Sequence, residues 1–265
     1  MDSVTNTYWR STTTNASISS TKATTYKNLH STHGATVTFK ALWSVNTYYI
    51  SYSYIGSGST PVTFTETTSA TFDSVFSITA ATRVGYTFHS WNISNMTTDC
   101  THYYGTTNAA STSGGSAATM TVTSEKYFKN LASSGTVYFT AVWVAHEYNI
   151  SYAMNTPTGA TITTTISTPA TATFDTQYTV STPAVRGYTF AGWNVTGMST
   201  DCAHEISLSS SKINQVTGSS YTTAGATVYI KNLHSSQSST GTVTFTATWM
   251  PTEFTIYYHT TYDNQ

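Results

Sequence analysis

Two short clusters carry the side chains best suited to chemistry: Asp99-Cys100-Thr101-His102 and Asp201-Cys202-Ala203-His204. A thiol two residues from an imidazole is the raw material of a Cys–His nucleophile or of half a zinc site. A zinc site normally takes four ligands, and Cys-x-His offers two, with no third or fourth recurring beside it. A nucleophile needs an oriented base and a pocket, and the pattern specifies neither. The simpler reading is a buried free thiol acting as a small hydrophobe. The alternative is a cross-link through Cys100 and Cys202. They occupy equivalent points of a repeat, normally farther apart than the roughly 7 Å between Cα atoms that a disulfide spans. A bond between them needs folded-back units or a partner chain. The expectation is therefore no catalytic residue, no cofactor, no metal, and a protein that is not an enzyme.

Lysine recurs in Lys-Asn-Leu at Lys27, Lys129 and Lys231, and Phe-Asp recurs at Asp73 and Asp175. A lysine, an asparagine and a nearby buried carboxylate are the parts of an internal amide cross-link. The plainer reading is a turn into the last hairpin with its leucine buried. Asn-x-Ser/Thr acceptors for N-linked glycans stand at Asn15, Asn92, Asn95, Asn149 and Asn194. Asn92 and Asn194 follow the tryptophans Trp91 and Trp193. On an alternating strand a buried tryptophan leaves its neighbour facing solvent, where a glycan has room.

The elements that position these residues repeat. Gly85-Tyr86-Thr87-Phe88-His89-Ser90-Trp91 returns 102 residues later as Gly187-Tyr188-Thr189-Phe190-Ala191-Gly192-Trp193, and the three Lys-Asn-Leu copies are also 102 residues apart. Each of those copies leads into a β-rich run ending in tryptophan, at Trp43, Trp143 and Trp249. A new strand then opens at Tyr48 to Tyr52, Tyr148 to Tyr152, and Phe254 to Tyr258. The sequence divides into residues 1–45, the C-terminal part of a repeat; 46–145 and 146–250, two complete repeats; and 251–265, the first strand of another. The frame suggests a window on a longer array, or terminal pieces completed by neighbouring molecules through strand addition.

Composition points the same way. Only 8% of the 265 residues are charged, against roughly 25% in an ordinary soluble domain, so Ser and Thr hydroxyls must keep the surface wet. Twenty tyrosines, an aromatic content of 14% and abundant threonine favour strands, and so many aromatics argue against disorder. A net charge of −1 gives no basic field for nucleic acid or anionic lipid. No apolar run approaches the roughly 18 residues of a membrane-spanning helix. The first ten residues lack a signal peptide's charged and apolar regions, which suggests a mature chain or a fragment.

Alternation and turn residues predict strands at Glu147 to Ala153, Ala160 to Ser167, Ala172 to Asp175, Tyr178 to Thr182, Tyr188 to Val195, Ala226 to Ile230 and Thr242 to Trp249. Ser207 to Gly225 and its counterpart Gly105 to Ala118 read as polar loops, and Cys202 to Ile213 alone offers helical spacing.

An aromatic opening strand, Pro183, the segment Gly187-Tyr188-Thr189-Phe190-Ala191-Gly192-Trp193 and the ending Ala247-Thr248-Trp249 together resemble the Listeria–Bacteroides repeat, the B-repeat of internalin-type surface proteins. The resemblance covers about two-thirds of each unit. Ser90 replaces the second glycine of the motif in the first unit, and Ser/Thr-rich insertions follow each cysteine. It implies an all-β, β-grasp-like, mostly antiparallel module strung into an elongated array on a cell surface. Trp91 and Trp193 are then core residues, while Trp43, Trp143 and Trp249 either pack between neighbours or cap their own cores.

The function expected is a structural extracellular protein, a stalk or filament built by tandem or head-to-tail β modules. Its partners would be neighbouring repeats or chains, with covalent glycans and no nucleic acid. The rival is an adhesin module whose tyrosines bind a host protein or glycan; a discrete binding surface on one unit distinguishes it.

Overall fold

Threonine, tyrosine and valine alternate along most runs of this chain, and in the computed structural model those runs form strands with no helix among the described residues. The described residues are 30, 32–38, 43–53, 60–79, 81–164, 166, 169–210, 212–224, 228–237 and 239–259. The chain divides into two units, Met1–Ser44 and Val45–Gln265. In the first, a turn is described at 32–34, and Trp43 lies exposed. Asn15 and Lys27 lie outside the described residues.

Within Val45–Gln265 the strands fall into two sets. In the first half, a five-stranded sheet runs in the order Ser69–Thr71, Thr47–Ser53, Thr136–Ala145, Tyr86–Ser94, Thr119–Val122. In the second half, Thr171–Thr173, Glu147–Ala153, Thr242–Pro251, Tyr188–Thr196 and Ser220–Thr222 follow one another in the same order. Most pairings are antiparallel. The opening strand of each half, Thr47–Ser53 or Glu147–Ala153, instead runs parallel to the closing strand, Thr136–Ala145 or Thr242–Pro251. A second, four-stranded sheet completes each half. In the first half its order is Phe76–Ser77, Tyr127–Lys129, His102–Gly105, Thr112–Gly115; in the second it is Tyr178–Val180, Val228–Lys231, His204–Ser209, Lys212–Val216.

The core lies between the two sheets of each half, because period-two alternation sends every other side chain inward. Tyr48, Ile50, Trp91, Ile93, Val137 and Phe139 from the five-stranded sheet meet Phe128 from the four-stranded one. Tyr148, Ile150, Trp193, Val195, Val243 and Phe245 do the same with Val228 and Ile230. Rings pack edge to face, as their quadrupoles prefer: Trp91 on Phe139 at 5.9 Å and Trp193 on Phe245 at 5.8 Å.

Three sequence expectations change here. Cys202 to Ile213 is no helix; it carries the strand His204–Ser209 and the start of Lys212–Val216. Ser207 to Gly225 and Gly105 to Ala118 are not simple loops, since they contribute Ser220–Thr222 and Thr112–Gly115. Serine-rich runs have weak intrinsic preference, and their cross-strand partners decide for them. The segment Thr252–His259 forms no strand, and Phe254, Ile256, Tyr257 and Tyr258 are exposed.

Candidate functional site

The two chemistry-bearing clusters are corner pieces. Cys100 donates toward the Asn130 carbonyl at 3.3 Å, and Cys202 toward that of Asn232 at 3.5 Å. Burial pushes both thiols up from their ordinary value, which disfavours the thiolate that nucleophilic and metal chemistry needs. Both cysteines are free and partly buried. His102 Nδ1 lies 3.9 Å from the Cys100 sulfur but only 2.7 Å from the Asn130 oxygen, while Nε2 meets the Ala117 oxygen at 3.0 Å. His204 repeats this against Asn232 and Gly218 at 2.7 and 3.1 Å. Each imidazole is wholly buried, with a backbone carbonyl beside each of its ring nitrogens. No group of three or more His, Cys, Asp or Glu that could hold a metal occurs among the described residues.

The asparagines of Lys-Asn-Leu form a second fastening. Asn130 and Asn232 are buried at φ 56°, opposite Asp73 and Asp175 at φ 62°. Asparagine and aspartate tolerate this left-handed backbone better than most residues. The side chains clasp reciprocally: Asp175 N donates to Asn232 Oδ1 at 2.5 Å, and Asn232 Nδ2 to Asp175 Oδ1 at 2.8 Å. Asp73 and Asn130 do the same at 2.6 and 2.9 Å. Lys129 and Lys231 pair with Asp73 and Asp175, each at 3.6 Å, and Lys231 also meets Glu205 at 3.5 Å. The asparagine amide that a lysine would attack is thus turned onto the aspartate, and Leu131 and Leu233 are fully buried beside it.

Trp91 and Trp193 are buried in the cores. Trp143 packs on Phe88 at 5.4 Å and Trp249 on Phe190 at 5.5 Å, each within its own half; Trp249 Nε1 donates to the Met154 carbonyl at 2.8 Å. Asn92 and Asn194 face solvent on their strands, and Asn92 accepts from Thr121 at 2.9 Å. Asn95 is exposed, with its amide on the Thr136 carbonyl at 2.7 Å, while Asn149 is half-buried.

The halves meet at a junction built from side-chain and backbone contacts of both. One residue, His146, separates the closing strand ending at Ala145 from the opening strand beginning at Glu147. Its N–H donates to the Gly85 carbonyl at 2.9 Å and its carbonyl accepts from Phe174 N at 2.8 Å. Its ring is held at both nitrogens, Nδ1 at 2.5 Å from the Ser235 carbonyl and Nε2 at 2.9 Å from Thr87 Oγ1. Phe174, buried, lies against Gly85, where a Cβ would meet the ring at 2.5 Å, and edge-on to Tyr86 at 5.6 Å. Tyr86 donates to the Asp175 carboxylate, and the Arg83 guanidinium lies over its ring at 4.3 Å. Burial, then the hydrogen bond to Asp175, pushes the Tyr86 hydroxyl up to about 12. The signal was present in the sequence: Phe-Asp recurs at 72–73 and 174–175. Both residues of the second copy make the contact, Phe174 against Gly85 and Asp175 with Tyr86.

Comparison with protein-family models, with curated proteins and with solved structures finds no match. The reading of function therefore rests on the residues and their geometry.

Proposed function

We propose that the chain is a structural protein of the extracellular or cell-surface type, in which β-grasp-like modules of about 102 residues follow one another as a stalk or filament. The observation that carries this reading is the junction at His146. A one-residue connection with both backbone polar groups bonded, an aromatic plug against a glycine and a Tyr–Asp hydrogen bond couples neighbours closely. Nearest-neighbour interfaces of this kind stabilise and stiffen repeat proteins. The resemblance to the Listeria–Bacteroides repeat adds to the reading, as do the buried corner histidines and the partly buried cysteines beside them, which serve architecture rather than catalysis. Self-association with neighbouring repeats or chains and covalent glycans at Asn92 and Asn194 complete the proposal.

Negative-stain electron microscopy of the native material tests it. Uniform threads with a repeat near one module length are the expected result for a filament. Short rods leave a surface stalk, and uniform small globules speak against both. An intact mass equal to the plain 28.7 kDa chain would eliminate glycans.

One observation favours the adhesin as a second reading. Tyr49 and Tyr138 are exposed on adjacent parallel strands of the first half, diagonal to one another across the Ser51–Tyr138 pair. Their counterparts in the second half are Asn149 and Thr244. A discrete aromatic surface on one module is what an adhesin requires. Binding to sugars or host proteins that survives replacement of both tyrosines by alanine would remove this reading.

A further inference from the structure

The opening and closing strands of each half are adjacent and parallel, and this arrangement has a mechanical consequence. Chain enters the first half at the N-terminal end of Thr47–Ser53 and leaves it at the C-terminal end of Thr136–Ala145. In a parallel pair those two points lie at opposite ends of the shared ladder. Tension along the chain therefore slides one strand past the other. Every hydrogen bond of the ladder bears load together, rather than opening one by one from an end. The register runs from Tyr49 opposite Thr136 to Ser53 opposite Thr140, and the Tyr49 N–H adds a bond to the Gly135 carbonyl at 2.8 Å. The second half repeats this from Asn149 opposite Thr242 to Ala153 opposite Thr246, with Asn149 N on the Gly241 carbonyl at 2.9 Å.

We infer that each half is a force-bearing clamp, and that two clamps stand in series through His146. Several features hold the loaded strand in place. Its other edge pairs with Ser69–Thr71, so it is gripped on both sides. Tyr48 and Ile50 are buried, and the Tyr48 hydroxyl accepts from Leu131 N at 3.3 Å, next to the Asn130 clasp. Tyr148, Ile150 and Leu233 N reproduce the arrangement in the second half. A single-residue connection leaves no slack between the clamps, so tension passes from the closing strand of one half directly into the opening strand of the next. The clamp rests on strand order alone; its use in a cell rests on the stalk reading. Imaging that finds no stalk would leave rupture forces unchanged, and weak ruptures would leave the imaging unchanged, so the two can fail separately.

Single-molecule force spectroscopy on the full chain tests the inference. Handles carried by unnatural amino acids avoid the native thiols. Handles at Val45 and Val144, both exposed, load the first clamp in shear; handles at Val45 and Ser134, also exposed, pull apart the two N-terminal ends and peel the same ladder. The expected result is a rupture force several-fold higher in shear than in peeling. The shear rupture should be one event releasing up to about 330–360 Å of chain. Forced rupture reports the unfolding barrier, so equal forces in the two geometries, or gradual extension at low force in shear, would overturn the clamp. Ser51→Pro removes a ladder N–H from the first half only. With the chain pulled by its ends, that variant should lower one of two rupture forces and spare the other. Two unaltered ruptures would also sink the proposal.

Discussion

At Asn232 the backbone takes a left-handed turn while the side chain closes a reciprocal clasp with Asp175. Replacing Asn232 by alanine adds about 1–2 kcal/mol of backbone strain and takes the partner from the part-buried Asp175 N–H, about 1 kcal/mol more. Replacing it by glycine removes only the clasp. Urea titration should therefore rank the wild type above Asn232→Gly and Asn232→Gly above Asn232→Ala; equal losses would show that conformation plays no part. The buried tyrosines set the response to alkali. Burial raises the Tyr48 hydroxyl to about 12 and pushes that of Tyr148 up as well, from an ordinary value of 10.0. A group that holds its proton more tightly when folded contributes stability present below its unfolded value and lost as pH rises through the folded one. Stability should thus be flat in these groups up to about pH 9 and fall between pH 10 and 12, on the order of 2–3 kcal/mol for Tyr48 alone. Denaturation midpoints measured at pH 8, 10 and 11.5 check this, and a Tyr48→Phe, Tyr148→Phe variant should show a shallower fall.

Among the elements, the motif strand explains a difference that sequence alone left as a departure. Gly192 sits at φ 143° beside a register shift, and a Cβ there would lie 1.9 Å from the Thr223 carbonyl oxygen. That approach has a purpose, because Thr223 hydrogen-bonds Trp193 through both its backbone N–H and its hydroxyl, each at 2.9 Å. In the first half the neighbouring strand pairs Trp91 with Val122, and Ser90 is accommodated, buried, at the corresponding position. Gly192→Ser should therefore displace Ser220–Thr222 and cost about 2 kcal/mol or more, in the range of overpacked cores. Ser90→Gly should cost about 1 kcal/mol or less, as glycine in a strand does. Thermal unfolding followed by tryptophan fluorescence separates the two cases. The motif's second glycine is thus a requirement of the second half's packing and not of the strand itself.

For the molecule as a whole, Gly85 and Gly187 make a matched test of the junction. Both have positive φ, but only Gly85 faces Phe174; around Gly187 there is open space. Gly187→Ala should cost only the strain of its backbone, about 1–2 kcal/mol. Gly85→Ala carries the same strain and also expels the Phe174 ring, so the halves should lose their coupling. Calorimetry is expected to resolve two transitions in Gly85→Ala where the wild type and Gly187→Ala show closer coupling. Limited proteolysis should cut near His146 in Gly85→Ala first. Identical behaviour of the two variants would mean that the ring against Gly85 does not couple the halves.

Strand content, the inward tryptophans and the alternation of solvent-facing hydroxyls were legible in the sequence. They follow from local physics: β-branched and aromatic residues fit a pleated surface, and a period of two assigns their faces. Glu147–Ala153, Tyr188–Thr196 and Thr242–Pro251 came out close to their expected limits for that reason. The serine-rich stretches at 105–118 and 207–225 did not, since their weak intrinsic preference leaves the outcome to pairing with Tyr188–Thr196 and with the neighbouring strands His102–Gly105 and His204–Ser209. Which carbonyls and imidazoles surround Cys100 and Cys202 was likewise invisible, because that depends on how strands meet. Sequence determined most of the strands rich in aromatic and β-branched residues and the faces they bury. Tertiary structure alone decided that the opening strand lies parallel to the closing one, that Phe174 meets Gly85, and that His146 joins the halves without slack, since pairing and register are properties of segments brought together across the chain.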